Sequence, residues 1–115
     1  MTKSYKAITQ NASQQVAKFH KEFPNVMSAF SALGKSSVGE EGVLGKKTKE
    51  LIALAIGVAG HCDGCIGFHT QALVKLGATR EEVMEALTVA IYMGGGPSLM
   101  FAAEALQAFE EFSGA

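Results

Sequence analysis

Residues 50–70, ELIALAIGVAGHCDGCIGFHT, set two cysteines and two histidines behind a glutamate in an otherwise apolar stretch. After Glu50 the first half is apolar nearly all round, the pattern of a buried central helix running from about Lys46 to Ala59. Gly60 interrupts it. A second helix then starts at the cysteines and reaches about Leu76, with Gly77 as its stop. On that helix Cys62, Cys65 and His69 share one face, because positions three and four apart are neighbours. One buried helix followed by one that carries chemistry already favours an all-α fold.

The flanking sequence continues the pattern. Thr79-Arg80-Glu81-Glu82 is a capping box, threonine followed three residues on by glutamate. The helix it opens buries Val83, Leu87, Ala90 and Ile91 and ends in the Gly94–Gly96 run. Pro97 opens a last helix, with Ala102, Leu106 and Phe109 on one side and an end near Phe112. Towards the N-terminus, Ser36 to Gly45 reads as a glycine-rich loop, first as an inert connection and second as a mobile flap. Before it, Pro24 starts a helix in which Val26, Phe30 and Leu33 share a face and Gly34 is the stop. Val16, Phe19 and Phe23 give a first amphipathic segment behind a polar lead-in over residues 1–15 that becomes helical. No stretch alternates with the period of a strand. The expectation is an all-α protein of about six helices, one domain over residues 1–115.

Composition narrows the function. The chain is 48% hydrophobic and 18% charged, apolar enough that part of its surface is expected to pair with another subunit. A net charge of −1 argues against nucleic acid or an anionic membrane as partner. Leu51 to Gly60 is too short to cross a bilayer, and Gly94-Gly95-Gly96-Pro97 breaks the longer apolar run from Ala86 to Ala103. The N-terminal MTKSYKAITQNASQQ has no apolar core of a signal sequence, so a cytoplasmic location is expected. There a cysteine pair points to redox chemistry or a metal before a structural disulfide. Lys46, Lys47 and Lys49 crowd a helix start that disfavours cations; they read as a solvated end, with attraction of an anionic substrate as the sharper alternative.

The chemistry lies in Glu50, Cys62, Cys65 and His69. Only a thiolate attacks, and a helix N-terminus favours the negatively charged sulfur. His69, one turn beyond Cys65, is placed to take its proton. Glu50 is placed to orient His69, and a glutamate in an apolar helix needs such a partner. A sulfenic acid on one thiol condenses with the other to a disulfide, which an external reductant must reopen. No bound cofactor is called for. A zinc module using Cys62, Cys65 and His69, with His61 or Glu50 as fourth ligand, is the competing reading. His20 has no partner in view, and Met84, Met93, Met100 and Phe101 read as packing residues.

The spacing Glu50-x11-Cys62-x2-Cys65-x3-His69, followed by LGATREEVMEAL and MGGGPS, resembles the AhpD-like alkylhydroperoxidase core of the carboxymuconolactone decarboxylase-like superfamily. The resemblance runs from about Pro24 to Phe109. It implies a helical domain that assembles as a homo-oligomer, trimer or hexamer (a trimer of dimers), with thiol-dependent hydroperoxide reductase activity in antioxidant defence. It also implies roles: Cys65 attacks, Cys62 resolves, His69 is the base, and Glu50 stands behind it in the proton relay. The reductant it implies is a lipoamide-type dithiol or its carrier protein. The chain departs from the founding members at Gly64, where they carry an additional relay histidine. A lactone decarboxylase of the same superfamily is the alternative enzyme, although that chemistry does not need a cysteine pair.

Overall fold

The computed structural model describes residues 2–114, which form six helices and, among those residues, no strand. They are α1 (Tyr5–Glu22), α2 (Pro24–Ser37), α3 (Lys46–Ala59), α4 (Asp63–Lys75), α5 (Arg80–Gly94) and α6 (Gly96–Ser113). The all-α expectation holds, and so do the start and end of the central helix α3.

Local chemistry explains the boundaries. Ser4 caps α1 by accepting the Ala7 N–H, and Pro24 sits in the first turn of α2, where its missing N–H costs nothing. Thr79 and Glu82 form the expected capping box at the start of α5. The Lys47 ammonium, and then the Thr79 N–H, hold the Glu82 carboxyl below its ordinary range. Gly77 and Gly95 take positive φ values of 76° and 74°, which lets the chain turn sharply after α4 and α5.

The core is built by one face each of α3, α4, α5 and α6, closed at one end by the first turns of α1. Leu54 and Val58 of α3 meet Ile66 and Leu73 of α4, Val83 and Leu87 of α5, and Ala105 and Phe109 of α6. Small residues allow close approach: a Cβ at Gly57 would stand 3.0 Å from Cys65 Cβ, and one at Gly67 would stand 2.6 Å from Thr9 Cγ2. Tyr5 is fully buried, with its hydroxyl 3.2 Å from Asp63 Oδ1 and 3.1 Å from Glu104 Oε2. Burial, then the hydrogen bond to Glu104 and the nearby Asp63, raises its phenol well above the ordinary value. Tyr5 thereby ties α1 to the first turn of α4.

Five expectations need correction. The first helix starts at Tyr5, and its buried face is Tyr5 and Thr9 with Ile8, whereas Val16, Phe19 and Phe23 are exposed. Gly34 does not stop α2, which continues to Ser37, because the carbonyls of Gly34 and Lys35 still find the Val38 N–H. The loop therefore shrinks to residues 38–45. Val26, Phe30 and Leu33 do share a face, but among the described residues α2 packs against α1 alone and has no buried residue. Met84, Met93 and Met100 are exposed as well, so they do not pack in this core. The α3 helix is also only half covered: Glu50, Leu54, Gly57 and Val58 are buried, while Ile52 and Ile56 face outward.

Candidate active site

The site forms where the C-terminal half of α3 crosses the first turns of α4. Cys62 is the N-cap of α4, and its Sγ accepts the Cys65 N–H at 3.1 Å. Sulfur thus does the work usually given to a serine or aspartate oxygen. The main chain reaches this position through His61, whose φ of 54° is a left-handed value rarely taken by a residue with a side chain. Stacking of the His61 ring on Phe101, with ring centres 4.7 Å apart, accompanies that conformation. His61 faces α6 in this way and stands outside the cavity described below.

Cys62 and Cys65 are joined as a disulfide, with Cα atoms 5.2 Å apart. The two sulfurs sit at the N-terminal end of a 13-residue helix, where the aligned peptide dipoles favour a thiolate once the bond is opened.

One turn further along α4, His69 Nδ1 lies 2.6 Å from Glu50 Oε1. Glu50 is 8% exposed, on the α3 face turned towards α4, and this histidine answers its need for a partner. With Nδ1–H donated to the carboxylate, the ring's other nitrogen, Nε2, is free of a proton and available as a base. Glu50 forms no ion pair with Lys46 or Lys47 of its own helix; Lys47 binds Glu82.

His69, Cys62 and Cys65 all line one cavity of about 640 Å³, walled on the α3 side by Lys49, Ile52, Ala53 and Ile56. Its size suits a small organic ligand. Among the sequence candidates, Glu50 stands behind His69 and out of the cavity lining. Among the described residues no group of three or more His, Cys, Asp or Glu side chains is placed to hold a metal ion. A zinc module using His61 or Glu50 thus has no assembled ligand set: His61 stacks on Phe101 and Glu50 is engaged by His69.

Sequence reasoning missed Asp63. It joins Lys3 and Tyr5, with Lys3 Nζ 3.0 Å from Asp63 Oδ1 and 2.9 Å from Glu104 Oε2, and so fastens the cysteine turn to the N-terminal segment and α6. The signal was an acidic residue in the first turn of a helix, and its partners are 58 and more residues away.

Residues 24–108 match the carboxymuconolactone decarboxylase family, a span that covers the site, α2 to α5 and most of α6. The chain belongs to that family. A family member from Legionella pneumophila, solved in its apo form, is 60% identical and superposes with a TM-score of 0.93 over 95% of this chain and 96% of its own. Another, from Thermotoga maritima, for which a part in antioxidative response has been suggested, is 29% identical with a TM-score of 0.79, covering 90% of this chain and 87% of its own. The alkyl hydroperoxide reductase AhpD of Mycobacteroides abscessus is 38% identical over 58 residues, half of this chain and 33% of the reductase. The chain thus shares its fold with solved members of its family and has an AhpD among its more distant relatives. No helix among the described residues is long and apolar enough to cross a membrane.

Proposed function

We propose that this protein is a thiol-dependent hydroperoxide reductase that cycles between the Cys62–Cys65 dithiol and its disulfide. The observation that carries this reading is the Glu50–His69 hydrogen bond, with His69 lining the same cavity as the cysteine pair and Glu50 behind it. A metal-free two-electron cycle needs this set of groups: a nucleophile, its base, the base's orienting partner and a resolving thiol.

In the reduced protein, His69 Nε2 takes the Cys65 proton. The thiolate attacks the distal oxygen of the hydroperoxide; the S–O bond forms, the O–O bond breaks, and the departing alkoxide recovers the proton from His69 as an alcohol. Cys65 is then a sulfenic acid. The Cys62 thiol attacks its sulfur, water leaves, and the disulfide is restored. An external dithiol of the lipoamide type, free or on a carrier protein, closes the cycle by thiol–disulfide exchange. Its thiolate attacks Cys65, and Cys62 departs at the N-cap, where the Cys65 N–H receives it. The donor's second thiol then attacks the donor sulfur of the mixed disulfide, releasing Cys65 and leaving the donor as its own disulfide. The same reading places the protein in cytoplasmic antioxidant defence.

The assembly we propose with it is a homo-oligomer, a trimer or hexamer. Its support is the unpartnered apolar face of α2, with Phe30 68% exposed between Val26 and Leu33, continued by exposed Phe19 of α1 and Phe23 at the α1–α2 junction. A lactone decarboxylase would leave the cysteine pair without a task.

The deciding assay is consumption of an alkyl hydroperoxide with dihydrolipoamide as donor, comparing the parent protein with Cys65→Ser and Cys62→Ser. The expected result is turnover in the parent, none in Cys65→Ser, and a trapped sulfenic acid, labelled by dimedone, in Cys62→Ser. Parental turnover in Cys65→Ser would sink the assignment.

A further inference from the structure

The cavity beside the thiols, bounded also by Ser37 and Val38 at the end of α2, has an apolar wall and one lysine on a single face of α3. Lys49, Ile52, Ala53, Ile56, Gly57 and Gly60 follow one another at helical spacing along it. Gly57 lies against Cys65, so the wall has a reacting end there and a charged end at Lys49, two turns towards the helix N-terminus. The rise of 1.5 Å per residue separates the two ends by roughly 12 Å along the helix.

Lys49 is held rather than free to wave. Its Nζ donates to the Glu40 carbonyl at 2.8 Å, which pins it to the loop between α2 and α3. That bond uses one of three ammonium donors and none of its charge. Among the described residues no carboxylate pairs with Lys49, whereas its neighbour Lys47 is paired with Glu82. A fixed, uncompensated cation at the far end of an aliphatic wall suits an anionic head group on an alkyl chain.

We infer that the hydroperoxide this site takes is a medium-chain amphiphile bearing a carboxylate. The acid head sits on Lys49, and the chain lies along Ile52, Ala53 and Ile56 so that the peroxide reaches Cys65. The inference rests on the peroxidase reading above and adds to it a substrate class and a specificity-determining residue.

The test uses a medium-chain fatty acid hydroperoxide and its methyl ester, with neutral dihydrolipoamide as donor, so that only the peroxide's charge differs. The readout is the ratio of kcat/KM for acid over ester in the parent, Lys49→Arg and Lys49→Met proteins. The expected ratio in the parent is about two- to fivefold, the upper part of the range for an exposed charge pair. It should shrink with added salt, persist in Lys49→Arg and fall to near one in Lys49→Met. A merely structural role for Lys49, through its bond to Glu40, would lower both substrates by the same factor and leave the ratio intact. That result, or a parental ratio of one, overturns the inference while the ester's turnover keeps the peroxidase reading standing. Absence of turnover with both substrates, thiols being titratable, overturns both.

Discussion

The Glu50–His69 contact is the most informative residue pair in the molecule. A buried carboxylate on the imidazole Nδ1 sets which ring nitrogen faces the cavity, and it does so from a different helix. Replacing His69 by Asn removes the base and should lower kcat/KM for hydroperoxide by about 10²-fold or more, with far-ultraviolet circular dichroism unchanged. Glu50→Gln should lower it less, by roughly tenfold, and shift the pH profile of the reaction, since the ring stays but its orienting charge goes. A Glu50→Gln protein with the parental pH profile would remove Glu50 from the relay. Gly57 belongs to the same scale. A methyl group there meets Cys65 Cβ at 3.0 Å, so Gly57→Ala should push α4 away from α3 and slow disulfide formation, read by the rate of thiol loss under peroxide.

At the scale of elements, the helix ends hold the structure together. Thr79→Ala should cost about 1 kcal/mol, a lowering of the thermal midpoint by about 4 °C, because the Glu82 N–H loses its cap. The start of α1 is held from outside: Glu111 of α6 accepts the Tyr5 and Lys6 N–H groups and the Ser4 hydroxyl. Partial burial works to raise the Glu111 carboxyl, but these hydrogen bonds together hold it below the ordinary value. A carboxyl depressed by folding stabilises the native state above its unfolded pKa of about 4.3, and that contribution fades as pH falls through the native value. Denaturation from pH 7 down to pH 3 should therefore show parental stability falling towards that of Glu111→Gln. A constant gap between the two proteins across that range would show that the Glu111 charge is not what holds α1.

The whole molecule is unevenly covered. Four helices share a core, while α2 stands against α1 alone and exposes Val26, Phe30 and Leu33. Such a face on a 115-residue chain is expected to be buried between subunits. Phe30→Asp should reduce the mass measured by light scattering from a multiple of 12.1 kDa towards the single chain, without loss of helix content. A parental mass equal to one chain would refute the assembly.

What the sequence determined by itself was everything carried by local spacing. Its apolar periods placed α3 to α6, the Thr79 box and Gly77 marked boundaries, and the x11, x2 and x3 spacings named Glu50, Cys62, Cys65 and His69. These signals are legible because a helix converts spacing into a face within a few residues. Tertiary structure decided what depends on partners far along the chain. It chose Tyr5 over Phe19 as the part of α1 that is buried, because Tyr5 and Thr9 pack against Gly67 of α4 and Tyr5 bonds Asp63 and Glu104. It gave Asp63 its partners 58 and 60 residues away, stacked His61 on Phe101, and separated Lys49 from the paired Lys47. An apolar stripe shows that a face must be covered, but only the packing of helices shows whether this chain covers it.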